Sequence, residues 1–159
     1  MATDLRCLID TNVLVYARST ASGPEEHAKC EQARSVVRAC ARAGIGVLST
    51  QVLIETFDVF TRGTARPSER AAVLGHVAGL AAAFQVLATD AQTVLLAGDC
   101  SCRQGLRIFD ALVWAAAYAH GIRVVLSEDF SHRSEIDGVS FIDPFAADFT
   151  FAELGLRAE

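Results

Sequence analysis

The sequence predicts an α/β fold with a mainly parallel central sheet, on three observations. Short apolar runs of strand length alternate with longer helical segments from end to end. Residues that start and stop helices sit between them. The chain has 159 residues, with no internal repeat, low-complexity tract or linker, which fits a single domain over 1–159.

Leu5–Ile9 is a short apolar run ending at Asp10 and reads as a buried strand. Thr11–Arg18 follows as a short helix, and Ser19–Pro24 is a loop by composition. Glu25–Ala43 has helical character, with Gly44 placed as its C-cap. Gly46–Leu48 is a brief strand, and Ser49 stands where an N-cap belongs, before a helix to about Arg62. Gly63–Pro67 breaks the chain. Ser68 is expected to cap a helix to about Ala83, followed by a strand at Gln85–Leu87. Thr89 and Asp90 open a helix to about Cys100. Ile108–His120 is helical and closed by Gly121. Arg123–Ser127 and Val139–Ile142 complete the strands.

Hydrophobic residues make up 52% of the chain, ample for a core, so disorder is excluded. The net charge of −5 argues against gripping nucleic acid by overall electrostatics, although a local basic patch stays compatible with it. Lys29 is the only Lys among fourteen cations. The five cysteines are odd in number, show no disulfide framework and follow no signal peptide, so free thiols and a cytoplasmic location are expected. Cys100 and Cys102 lack a second pair to complete a zinc site. The apolar stretches Ala71–Ala88 and Ala111–Leu126 are too short or too polar for a membrane span.

Four carboxylates sit where a solvated surface would not put them. Asp10 follows the first apolar strand. Glu55 lies in an apolar helix, with Val52 and Val59 at helical spacing. Asp110 starts an otherwise apolar helix, and Asp129 follows the strand ending near Ser127. Burying unpartnered carboxylates costs several kcal/mol or a large pKa shift. A shared divalent cation explains four of them better than scattered ion pairs, and carboxylate oxygens suit Mg²⁺ or Mn²⁺. In an open parallel sheet such groups meet at the carboxyl ends of the strands. Taken singly, Asp10 and Asp110 also read as N-caps, Glu55 as a partly exposed helix residue and Asp129 as a turn residue. Glu128 competes with Asp129 for the fourth place.

Other strand-end acids fit less well. A haloacid-dehalogenase-like phosphatase wants a second Asp where Asn12 stands, and a response-regulator receiver domain wants a late Lys. A dinucleotide-binding turn is Gly-rich, unlike Asp10-Thr11-Asn12.

Two segments around the acids are Leu8-Ile9-Asp10-Thr11-Asn12-Val13-Leu14-Val15-Tyr16-Ala17 and Ser49-Thr50-Gln51-Val52-Leu53-Ile54-Glu55. Others are Ile108-Phe109-Asp110-Ala111-Leu112-Val113-Trp114-Ala115-Ala116-Ala117, Leu126-Ser127-Glu128-Asp129-Phe130 and the tail from Asp137 to Phe145. Together they resemble the PIN-domain family, especially VapC-type toxins. One departure is Asp143, where the family has Asn before Pro-Phe. The resemblance implies a PIN-like three-layer α/β/α sandwich and Mg²⁺- or Mn²⁺-dependent endonucleolytic cleavage of RNA. It implies Asp10, Glu55, Asp110 and Asp129 as acidic metal ligands, with Thr11, Asn12 and Ser127 as supporting pocket residues. It also implies a small cognate antitoxin as partner and a homodimer. A PIN-like module that binds RNA or protein without cleaving is the alternative.

RNA approaching an acidic pocket needs local cations. Arg103, Arg107 and Arg133 are the candidates, with Arg62 and Arg66 flanking. No catalysis is assigned to His27, His76, His120 or His132. Trp114 and Phe109 are expected in the core.

Overall fold

The structure is a computed structural model and describes residues 5–64 and 66–156. Six strands form one sheet in the order β3-β2-β1-β4-β6-β5. They are β1 (Cys7–Ile9), β2 (Gly46–Ser49), β3 (Gln85–Leu87), β4 (Val124–Leu126), β5 (Ser134–Ile136) and β6 (Val139–Ile142). All neighbours pair in parallel except β5 and β6. The helices are α1 (Thr11–Arg18), α2 (Pro24–Ala43), α3 (Thr50–Thr61), α4 (Pro67–Ala83), α5 (Ala91–Gln104) and α6 (Ile108–Ala119). A 3₁₀ turn at Phe151–Leu154 closes the described chain.

Alternation along the strands separates two apolar layers. Leu8, Val47, Val125 and Phe141 face α5 and α6, where Ala111 through Ala117 are all buried. Cys7, Ile9, Leu48 and Leu126 face the opposite layer with Val13, Val36, Val52 and Leu80. The result is a three-layer α/β/α sandwich. Trp114 anchors one layer to the sheet edge, since its ring N–H donates to the Ile136 carbonyl at 3.0 Å.

Caps explain most helix boundaries. Ser49 accepts from the Val52 amide at 3.2 Å and starts α3. Asp90 accepts from the Thr93 amide at 2.8 Å and starts α5. Gly44 and Gly105 end α2 and α5 in the left-handed region, at φ 66° and 70°.

Three expectations are corrected. The α4 cap is not Ser68; the helix starts at Pro67, whose fixed φ suits the first helical position. Helix α5 runs past Cys100 to Gln104. Strand β5 and the 3₁₀ turn were not foreseen. All five cysteines are free thiols. Among the described residues no helix is long and apolar enough to cross a membrane.

The chain leaves β1 toward β2 on one side and returns to β4 on the other. The carboxyl ends of β1 and β4 therefore flank a topological switch point, where open α/β sheets form their crevice.

Candidate active site

Asp10 is the first residue past β1 and caps α1. Its Oδ1 accepts from the Thr11 amide at 2.7 Å, and its Oδ2 accepts from the Ser127 hydroxyl at 2.7 Å. The N-cap reading thus holds for Asp10 through one oxygen, while Ser127 bonds the other. Ser127 stands just past β4 and is fully buried. Its oxygen also accepts from the Asp129 amide and from Asn12 Nδ2, both at 3.1 Å.

Asn12 Nδ2 lies among three acceptors: Asp129 Oδ2 at 3.0 Å, Ser127 Oγ at 3.1 Å and Asp10 Oδ2 at 3.4 Å. An amide nitrogen has two hydrogens for three acceptors, so it serves as a partial positive charge between two carboxylates. On the other side, the Thr11 hydroxyl donates to Glu55 Oε2 at 3.0 Å, tying α1 to α3. Gln51 Nε2 donates to Glu55 Oε1 at 2.9 Å and to the Phe109 carbonyl at 3.0 Å, tying α3 to the start of α6.

Glu55, Asp110 and Asp129 line one pocket of about 430 Å³, with Arg62 and Arg107 at its edges. Asp110 is the third residue of α6, whose N-cap is Arg107, so Asp110 is not the cap. Burial is uneven. Only Asp10 is buried, at 5% exposure; Glu55 and Asp110 are half-buried and Asp129 is exposed. The expectation of four semi-buried acids is corrected in that respect. Glu55 lines the open pocket together with Val59, which is solvent-exposed, while Val52 on the same helical face is buried.

The charges of Glu55 and Asp129 act on both Asp10 and Asp110. Burial is the main reason the Asp10 carboxyl is pushed up to about 7. The bonds from Ser127 and the Thr11 amide pull it down, and the charges of Asp129 and Glu55 push it up. Asp110 is also raised, first by burial, then by Asp129 and Glu55, while Arg107 opposes. The pocket resists gathering negative charge unless a cation enters it.

The residues present fit a hard divalent cation. The candidate ligands Asp10, Glu55, Asp110 and Asp129 all offer carboxylate oxygen, and the Asn12 Oδ1 and Gln51 Oε1 atoms are buried with no hydrogen-bond partner among the described residues. The side chains as they stand are not a formed site. Among the described residues no group of three or more His, Cys, Asp or Glu is arranged to hold a metal.

The structure separates Glu128 from Asp129. Glu128 turns away to pair with Lys29 Nζ at 2.6 Å. Lys29 in turn lies over the Tyr16 and Phe145 rings, at 5.1 and 5.4 Å.

Of the proposed cations, only Arg107 and the flanking Arg62 reach the pocket. Arg103 pairs instead with Asp99 and Asp137. Arg133 pairs with Asp148 and Glu153. Arg66 is exposed and bonded to Glu69. Trp114 is in the core as expected, but Phe109 is half-exposed and lines the pocket. Sequence reasoning assigned no role to Gln51 or Lys29. The signal for Gln51 was its place four residues before Glu55, on the same helical face.

An open parallel sheet with carboxylates gathered at its switch point defines an α/β protein with an acidic pocket at the strand ends. The chain belongs to the PIN-domain family, whose model matches residues 7–134. Solved structures share the fold. VapC20 of Mycobacterium tuberculosis, described as a sarcin–ricin loop cleaving toxin, is 18% identical with a TM-score of 0.58, covering 75% of this chain and 86% of its own. A toxin–antitoxin complex from Klebsiella pneumoniae is 14% identical with a TM-score of 0.62, covering 87% and 97%. DNA-bound VapBC from Salmonella typhimurium is 19% identical with a TM-score of 0.61, covering 88% and 98%. No curated protein matches the sequence.

Proposed function

We propose that this protein is a Mg²⁺- or Mn²⁺-dependent endoribonuclease and the toxin of a toxin–antitoxin pair. The observation that carries the reading is the gathering of Asp10, Glu55, Asp110 and Asp129 near the β1–β4 switch point, where the charges of Glu55 and Asp129 raise the cost of ionising Asp10 and Asp110. Membership of the PIN-domain family and the toxin–antitoxin neighbours support it.

A divalent ion, when bound, supplies activated water and polarises a phosphoryl oxygen. Asp10 and Asp110 are the residues to hold it directly. Glu55 would orient the attacking water or hold the ion through water. Asp129 completes the site. Ser127, Asn12 and Thr11 fix the carboxylate orientations through the bonds described above, a role that commonly matters about 10–100-fold in affinity or rate. Arg107 is placed to meet substrate phosphate at the pocket edge. Arg103 and Arg133 are left out, because carboxylates occupy them.

A cognate antitoxin, a homodimer and a cytoplasmic location belong to the same proposal. The test is incubation of the purified protein with labelled cellular RNA, with Mg²⁺ or Mn²⁺ and then with EDTA, beside Asp10→Asn. The reading predicts cleavage abolished by both EDTA and the substitution. Folded, antitoxin-free protein that cuts nothing with either metal would instead be a binding module.

A further inference from the structure

Phe109 is misplaced for a core residue. It stands second in α6, just before a run of seven fully packed side chains, yet it is 54% exposed. Leaving a phenyl ring in water forgoes much of the stabilisation its burial would supply. The ring is not on an anonymous surface. It lines the pocket that holds Glu55, Asp110 and Asp129.

The same pocket is lined by two more exposed apolar side chains, from α3: Ile54 at 68% and Val59 at 37%. The pocket lining thus combines apolar side chains, carboxylates and two arginines. Arg62 pairs with Asp58, whereas Arg107 forms no salt bridge among the described residues. The single Gln51 amide that bonds Glu55 also bonds the Phe109 carbonyl, so the backbone that carries the ring is tied to the acid.

We infer that Phe109 is a stacking platform for one unpaired nucleobase, with Arg107 beside it receiving the adjoining phosphate. This deepens the reading of the pocket as an RNA-cleaving site and rests on it. A flat aromatic face sharing a pocket with a guanidinium and carboxylates matches a nucleotide: base on ring, phosphate on cation and acids. Stacking requires a base face that no neighbour covers, which single strands and loops offer and a duplex does not. Because every base has a π-face, selection by Phe109 follows pairing state more than base identity. A protein partner could also cover an apolar patch. The observations favour RNA because the ring shares its pocket with the acids and a cation with no salt bridge.

The test uses a short single-stranded RNA carrying 2-aminopurine, and the same RNA in a duplex. Binding and fluorescence quenching are measured with Mg²⁺ on Asp10→Asn protein, which keeps the RNA intact. Phe109→Leu and Phe109→Trp are added in that background, with melting temperatures to confirm folding. The expected result is quenching by the Phe and Trp forms on single strands only, and about 10-fold weaker binding without quenching for Leu. Equal binding and quenching by the Leu form overturns the inference, as does Phe109-dependent quenching of the duplex. Unchanged RNA binding with an altered oligomeric state makes the patch a protein interface and also overturns it. Wild-type protein is assayed on the same RNA in parallel. Cleavage with no Phe109 dependence of binding sinks the platform alone; Phe109-dependent quenching without any metal-dependent cleavage sinks the nuclease reading alone.

Discussion

The Ser127 hydroxyl donates to Asp10 Oδ2 at 2.7 Å across the switch point, joining the end of β4 to the end of β1. Both residues are buried, and the bond is one of the forces opposing the desolvation of Asp10. It does not win: the carboxyl still sits at about 7, against an ordinary 3.8.

That balance sets a pH dependence for the metal-free protein. A carboxyl whose folded pKa is raised binds its proton more tightly when folded. Its contribution is present below about pH 4 and is lost as pH rises toward 7. Removing the charge should abolish this slope. Asp10→Asn is expected to be more stable than wild type at pH 8 without metal, by up to about 4 kcal/mol, and no more stable at pH 4. Thermal unfolding in EDTA at the two pH values checks it. Equal stabilisation at both would mean that Asp10 is not held protonated by its site.

Asn12 tests the amide as a substitute cation. Asn12→Asp replaces a donor between Asp10 and Asp129 with a third negative group. It should destabilise the metal-free protein by about 2 kcal/mol or more, and saturating Mg²⁺ should recover most of the loss. Urea unfolding with and without Mg²⁺ reads both. A loss that Mg²⁺ leaves unchanged would place the ion elsewhere.

The neighbours Glu128 and Asp129 should behave differently. Glu128 is held by Lys29, outside the pocket, whereas Asp129 lines it. Asp129→Asn is expected to slow metal-dependent cleavage by at least about 10-fold, and Glu128→Gln by less than about 3-fold. Lys29→Met should cost about 1 kcal/mol of stability, since the pair is partly exposed. Initial rates on one RNA substrate separate the two acids, and the reverse order would exchange their roles.

Gly46 opens β2 where a side chain has no room. A Cβ there would lie 2.6 and 2.8 Å from two carbons of the Phe84 ring. Gly46→Ala should destabilise the fold by about 1–3 kcal/mol while leaving metal affinity unchanged, since the site lies at the other end of the strands. Denaturation beside a Mn²⁺ titration checks it. Full stability would mean that the ring shifts freely.

The alternation of strand and helix was legible because each apolar run ends on a polar group with its own task. Asp10, Ser49 and Asp90 each cap the next helix, so local chemistry and topology agree. The four acids were legible because a carboxylate among apolar neighbours needs a reason. Strand β5 was harder to read. Its three residues form an edge with only one antiparallel neighbour. Its one clear signal is Asp137-Gly138, whose φ values of 49° and 82° make the tight hairpin turn. Phe109 misled because sequence neighbours suggest burial, while its place at the mouth of α6 depends on how α3 packs beside it. The pairing of Arg103 and Arg133 depends likewise on side chains brought together by folding.

The central claim is that Asp10, Glu55, Asp110 and Asp129 act as one metal-dependent cleavage site. The most direct measurement is the rate of cleavage of one single-stranded RNA as a function of Mn²⁺ concentration, for wild type and for Asp10→Asn, Glu55→Gln, Asp110→Asn and Asp129→Asn. The account predicts a saturable metal dependence for wild type. Each variant should lose at least about 10-fold in rate or need correspondingly more metal. Cleavage that persists without metal, or that survives the loss of Asp10 and Asp110 unchanged, would contradict it.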